Sequence, residues 1–288
     1  MKRHFTRYGL IACLLLLGAC SSTTFIYNRL DFLLPWYLGD YMELSRPQKK
    51  LLDDLLEPYL YWHRSEELPR YLEIVEKIDD SLDQPLQLAD VEAVSDMFEA
   101  AWGRLEETGL TWILELGANM SDEQIAAFLI KLQEQQGEYE EKYLTRSEQE
   151  YREETYESLL DSFTDYLGRL DASQKLALKD TSAAMQRSDT AWLEERAAWM
   201  LRLEVLLQRA PGWEQGIRDA LAERDENASP EYRQMYTHNI LQIQQAIVSV
   251  TNSRTDKQDR RLRKKLNNLR EDLQTLIEQG RESAGAGF

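Results

Sequence analysis

Reactive side chains are scarce in this chain: 288 residues carry two cysteines and three histidines. Neither an HExxH nor a CxxC spacing occurs, and GxSxG, GxxxxGK[ST] and GxGxxG are absent as well. The residues therefore spell no zinc, nucleophile-elbow, phosphate-loop or dinucleotide signature, and no cofactor or metal is expected. A site built only of carboxylates stays open, because 51 residues are Asp or Glu. Proline is also sparse, and none occurs between Pro85 and Pro211, which permits long uninterrupted helices there. No apolar run approaches the roughly 20 residues needed to span a hydrocarbon core.

What the chain does have begins at its start. Lys2, Arg3 and Arg7 precede the apolar run Tyr8 to Leu17, and Gly18-Ala19 makes a small-residue exit, which is the layout of a secretory signal. Residues 1–19 are expected to be removed. Leu17-Gly18-Ala19-Cys20 resembles the bacterial lipobox, and the resemblance implies that the Cys20 sulfur takes a diacylglycerol and its freed amino group a further acyl chain. Each buried methylene contributes about 0.8 kcal/mol and stable anchoring takes more than one chain, so three chains hold firmly. Ser21 rather than Asp follows, which by resemblance to Gram-negative sorting implies the outer membrane, facing the periplasm. Cys13 leaves with the leader, so the mature chain keeps no free thiol and no disulfide, and only His63 and His238 remain as histidines.

Three of the 34 basic residues and none of the 51 acidic ones leave with the leader, which moves the net charge from −17 to −20. Such a surface repels nucleic acid. With 43% hydrophobic residues the chain is still no disordered acidic tail. Apolar residues recur at spacings of three and four, as in Ile125, Phe128, Leu129, Leu132, Tyr139, Tyr143 and again in Leu159, Leu160, Phe163, Tyr166, Leu167, Leu170. No period-two series with hairpin signals accompanies them. The expected fold is all-α, an elongated bundle of long antiparallel helices, with a main body over 20–210, a helical hairpin or subdomain over 211–280 and a disordered tail over 281–288.

Three phrases punctuate the helices: "LSRPQKKLL" from Leu44, "MSDEQIAAFL" from Met120 and "LDASQKLAL" from Leu170. Each reads as a capping box, in which Ser45, Ser121 or Asp171 accepts from the third helical amide while Gln48, Gln124 or Gln174 reaches back. Ser229-Pro230 marks a fourth start. The phrases resemble the LTxxQ motif of the small periplasmic helical chaperones of the Spy and CpxP kind. A broader resemblance is to a family of uncharacterised proteobacterial lipoproteins. It rests on the lipobox, on "YNRLDFLLPWYLGDY" (Tyr27 to Tyr41), on the Leu-Ser-x-x-Gln start, on "WHRSEELPRY" (Trp62 to Tyr71) and on the helix with Trp192, Arg196 and Trp199. It spans most of Cys20 to Leu207, supports fold and location, and implies no established activity.

Four segments are candidates for contact with something else. Trp62, His63 and Arg64 lie beside Glu66 and Glu67, and Trp192, Arg196 and Trp199 follow a three-four stripe; both groups suit a partner-binding surface or a helix packed in the core. The aromatic segment after the lipobox either docks into the bundle as a first helix or sets Phe25, Phe32, Trp36 and Tyr37 at lipid headgroups. "RTDKQDRRLRKKLNNLR", from Arg254, is basic in an acidic chain: Arg260, Arg261, Arg263, Lys264 and Lys265 could touch an anionic surface, or face the acidic helix expected over Glu134 to Glu157. Leu262, Leu266, Leu269, Leu273 and Leu276 form its apolar seam.

The sequence thus reads as a non-enzymatic, lipid-anchored helical binding protein, chaperone-like towards a periplasmic client, with an envelope-protein scaffold and a carboxylate-based hydrolase of envelope polymers as the competing classes. Replacing the lipidation residue tests the first step. Cys20→Ala should abolish incorporation of a fatty-acid probe and release the chain from membranes or leave it as precursor; unchanged labelling rules out a lipoprotein.

Overall fold

A computed structural model of the protein describes residues 22–285; the expected leader and Cys20, within residues 1–21, and positions 286–288 lie outside the described residues. Helix α1 (Ser22–Tyr27) and α2 (Leu30–Gly39) lead into α3 (Arg46–Trp62), which continues through a π-helical turn (His63–Glu67) into α4 (Leu68–Ser81). There follow α5 (Leu88–Ala118), α6 (Asp122–Leu144), α7 (Glu148–Leu167), α8 (Ala172–Ala184) and α9 (Asp189–Leu206). Two shorter helices, α10 (Trp213–Ala222) and α11 (Arg224–Asn227), precede α12 (Pro230–Asn252) and α13 (Asp256–Gly285). No strand occurs among the described residues, and the fold is a multi-helix all-α bundle.

Every capping box read from the sequence forms. Ser45, Ser121 and Asp171 accept from the amides of Gln48, Gln124 and Gln174, and Ser229 accepts from Tyr232 with Pro230 at the first helical position. The structure adds further boxes, one of them Gln87 with Asp90 at the start of α5. Ser147 with Glu150 starts α7, so the acidic stretch Glu134 to Glu157 is divided between two helices. Thr255 with Gln258 starts α13: the Thr255 amide donates to Gln258 Oε1 at 2.9 Å and the Gln258 amide to Thr255 Oγ1 at 3.4 Å.

The four glutamine boxes are joined in two pairs. Gln48 Nε2 donates to Gln124 Oε1 at 2.8 Å and Gln124 Nε2 donates back to Gln48 Oε1 at 2.9 Å. The second hydrogen of each amide goes to the carbonyl two residues before the other box, Gln48 to Asn119 at 2.8 Å and Gln124 to Glu43 at 2.6 Å. Gln174 and Gln258 repeat the arrangement, donating to one another's Oε1 at 3.2 and 2.9 Å and to the carbonyls of Ser253 and Arg169 at 3.4 and 3.1 Å. Each Oε1 also accepts from its own cap amide. A primary amide has two donors and two acceptor sites, and here all are used, which is what allows Gln174 and Gln258 to be buried.

Around these junctions the apolar faces close. Leu44, Leu52, Leu56, Leu116, Met120 and Ile125 form one cluster beside the first glutamine pair. The largest cluster joins Leu68, Val75 and Leu82 of the α4 region to Leu167, Leu170, Leu178, Ala246 and Val250 and to the α13 seam, with Leu262, Leu266, Leu269, Leu273 and Leu276 all buried. Residue 210 is therefore not a packing boundary. Helix α13 lies on α4, α7 and α1, and α12 on α5, α8 and α9, so the segment expected as a separate hairpin completes the main core. Of the tail expected over 281–288, residues 281 to Gly285 continue α13 past the buried Leu276 and Ile277, and 286–288 lie outside the described residues.

The paired boxes separate two effects that look alike in sequence. Glu would serve as well as Gln in an isolated box but cannot donate, so Gln124→Glu should lower stability by about 2 kcal/mol, more than Gln124→Ala in an exposed box would cost. Ser121→Ala should cost about 0.5 to 2 kcal/mol. Thermal unfolding of the variants decides it, and a neutral Gln124→Glu would mean that the pair contributes nothing.

Candidate functional site around His63

Local sequence explains why the chain widens at His63. Pro69 has no amide to offer the carbonyl of Ser65, and the turn just before it is π-helical, with the Leu68 amide donating to the His63 carbonyl. The turn brings His63 and Glu67 inward together. Glu67 is 0% exposed and is held by Arg104 of α5, whose Nε and Nη2 donate to its two carboxylate oxygens at 2.8 and 2.6 Å, while Arg70 stands 3.4 Å away. The carboxylate is neutralised by a fork of parallel donors, the geometry that makes a buried charge tolerable.

His63 faces α1. The Tyr27 hydroxyl lies 2.8 Å from His63 Nδ1, and the Tyr71 ring meets the imidazole edge-on. Burial pushes the imidazole pKa down to about 4; the nearby Glu67 carboxylate pulls it up and the Arg64 cation lowers it further. Burial likewise raises the Tyr27 phenol to about 12, against the pull of Arg64. At neutral pH both groups are uncharged. Arg64 lies over the Tyr27 ring, 5.1 Å from its centroid, and donates to Asn28 Oδ1 at 2.9 Å. Helix α13 closes the third side, with Thr24 Oγ1 bonded to Asp272 and Asn28 Nδ2 to Gln279. Gly280 permits this approach, since a Cβ there would lie 2.6 Å from the Arg64 side chain.

The structure thus gives His63 and Arg64 to the chain's own first helix, while Trp62 packs between Tyr59 and His63. Arg64 pairs with Asn28 rather than with a carboxylate, and the arginines that do hold Glu67 are Arg104 and Arg70. Arg104 was not legible beforehand, because it lies 37 positions from Glu67 and nothing local marks it.

The other candidates are placed as follows. Trp192 sits against Tyr139 and Tyr143, and Arg196 lies over Tyr139 and donates to Gln136, so these residues join α9 to α6. Trp199 is half-buried on the same helix. Within the basic segment, Arg263 pairs with Asp79, Asp83 and Asp259, Lys265 with Asp165, and Arg261 donates to the Asp165 carbonyl. Arg260 and Lys264 point to solvent. The acidic partners come from the end of α4 and of α7, not from the 134–157 stretch. His238 bonds the Ala184 carbonyl through Nε2 at 2.9 Å. Among the described residues no group of three or more His, Cys, Asp or Glu is arranged to hold a metal ion.

Comparison with known proteins bears on the body of this bundle. A family of unknown function, DUF6279, has a model that matches residues 40–233. The chain belongs to DUF6279. No curated protein and no solved structure matches it. The DUF6279 span holds the first three glutamine boxes, the π turn, Glu67 with Arg104, and the contacts of Trp192 and Arg196 with α6. Helices α1, α2 and α13 lie outside it, so the His63 environment is built where the matched body meets segments flanking it.

Two measurements test this environment. The folded chain holds His63 neutral well below the ordinary pKa of about 6.5, so the unfolded chain takes up the proton first as pH falls. The stabilisation is full above pH 6.5 and is lost towards pH 4, roughly 3 kcal/mol over that window. His63→Gln should flatten the fall in unfolding free energy between those pH values. Arg104→Met should cost about 3 kcal/mol at neutral pH by leaving the buried Glu67 carboxylate with only the longer contact to Arg70, and adding Glu67→Gln should recover much of it.

Proposed function

We infer that the protein is a lipid-anchored, periplasm-facing helical binding protein that receives a client or envelope partner on its apolar surface. The observation that carries this reading is on α9, which packs on α6, α10 and α12 and leaves Leu201 and Val205, one turn apart, 65% and 64% exposed. Two large aliphatic side chains stacked on one face of a long helix give a partner something to cover. A charge near −20 on the mature chain would keep a loaded complex dispersed. None of the described helices is long and apolar enough to cross a membrane.

Acid–base chemistry does not suit the His63 environment. Its imidazole is engaged by Tyr27 and its carboxylate by Arg104, so neither group is free to reach a substrate. The glutamine boxes are saturated by one another, so a chaperone-like activity would draw on apolar faces rather than on the LTxxQ-like phrases themselves.

A chain starting at Cys20 should suppress aggregation of several unrelated unfolded clients, without nucleotide or metal, beyond an equally acidic inert helical protein. Leu201→Ser with Val205→Ser should reduce that suppression at unchanged melting temperature. Absence of suppression, with a photocrosslinker at position 201 capturing a single envelope protein, would replace the chaperone reading by the scaffold.

A further inference from the structure

Helices α1 and α2 present two unlike faces. Tyr27 packs on the large core cluster, and Leu34, Leu38 and Met42 pack on the cluster beside the first glutamine pair. The outer face carries Phe25, Ile26, Phe32, Trp36 and Tyr37, with Phe32 65% and Trp36 62% exposed. Phe32, Trp36 and Tyr37 follow helical spacing within α2, and Phe25 and Ile26 are exposed on α1 just before the break at Asn28-Arg29. Arg29 stands among them, its guanidinium 4.6 Å from the centre of the Phe25 ring. Helix α2 has no fully buried residue although almost every side chain in it is apolar. In water such a face has no reason to stay uncovered.

We propose that this face lies in the membrane interface, with the Phe25, Ile26, Phe32, Trp36 and Tyr37 side chains among the lipid headgroups and upper acyl chains and Arg29 against phosphate. Three observations select lipid over a protein partner. Phe25 follows Cys20 by five positions, so even a fully extended connection reaches at most about 18 Å; chains carried by Cys20 would hold the patch at the bilayer surface. The residue types are those of an interfacial belt, aromatic rings flanked by a cation, rather than the aliphatic mixture of a helix-packing seam. Finally, the opposite face is fastened to the body through Tyr27–His63, Arg64–Asn28 and Thr24–Asp272, so the patch is presented outward by a fixed element. The bundle would then rest directly on the membrane, with no flexible leash.

This deepens the lipid-anchor reading, and the test is built so that the two fail separately. The apolar clusters lie between Tyr27 and Ile277, so a chain starting at Cys20 keeps the whole core. Such a chain, whose lone cysteine is Cys20, is coupled to a maleimide lipid in phosphatidylethanolamine–phosphatidylglycerol vesicles, which supplies the tether whatever the cell does at that residue. Tryptophan emission is compared in ordinary vesicles and in vesicles whose lipids are brominated near the headgroup end. Part of the emission should be quenched, the quenched part should vanish in Trp36→Phe, and it should fall several-fold in Phe32→Ser, where Trp36 is kept. The other six tryptophans serve as the unquenched background. No quenching, or quenching unchanged by Trp36→Phe, overturns the proposal. So does an untethered chain that sediments as a dimer and becomes monomeric on Trp36→Ser, which would make a second copy the occupant. Loss of acyl labelling in the cell, by contrast, removes only the anchor.

Discussion

The glutamine pairs are the constraint on which the bundle depends. A capping box fixes where one helix starts, and each of these boxes also spends its free amide hydrogens on another box 76 or 84 positions away. One side chain thereby ties a local event, the first turn of a helix, to a distant reversal of the chain. Glutamine is the residue that can do both, because it accepts from its own cap amide with the carbonyl oxygen and donates twice with the nitrogen. Saturation also explains why polar groups can stand beside Leu44, Met120 and Leu170 without the cost of an unpaired buried dipole.

Charge is handled in the same manner further along. Glu67 is buried because Arg104 matches both its oxygens, and Arg263 and Arg270 reach Asp79 from α13. The basic segment is therefore largely an internal counterweight, placed where the ends of α4 and α7 bring carboxylates. Its exposed cations, Lys257, Arg260 and Lys264 beside the Arg261 that bonds the Asp165 carbonyl, are what a surface role would have to use. The imidazole of His63 follows the opposite rule. It stays uncharged in a pocket where a cation, Arg64, is already present, and its hydrogen bond goes to the neutral phenol of Tyr27.

Much of the fold was legible because it is local. Box residues three positions apart, proline at a first turn and the Leu262 to Leu276 seam are all written within a few turns of one helix, and each is found as expected. Two of the boxes that went unread carried a signal of the same kind. Thr255–Gln258 is preceded by Arg254 in place of an apolar residue, and Ser147–Glu150 lies inside a run of carboxylates that hides it. The candidate site was half visible: "WHRSEELPRY" marked the turn, but Arg104, Tyr27 and Gly280, which define its surroundings, come from three other helices.

By itself the sequence determined the class of fold and the points at which helices begin, since these follow from side chain to backbone contacts within four residues. It also carried a segment that resembles the lipobox, and a composition short of the usual catalytic signatures. Tertiary structure decided which box pairs with which, that α12 and α13 complete the main core instead of standing apart, and that Arg64 is covered by α1. It also decided which half of the aromatic segment faces out. Those outcomes rest on contacts between residues far apart in the chain, and such contacts exist only once every intervening helix has taken its length and direction.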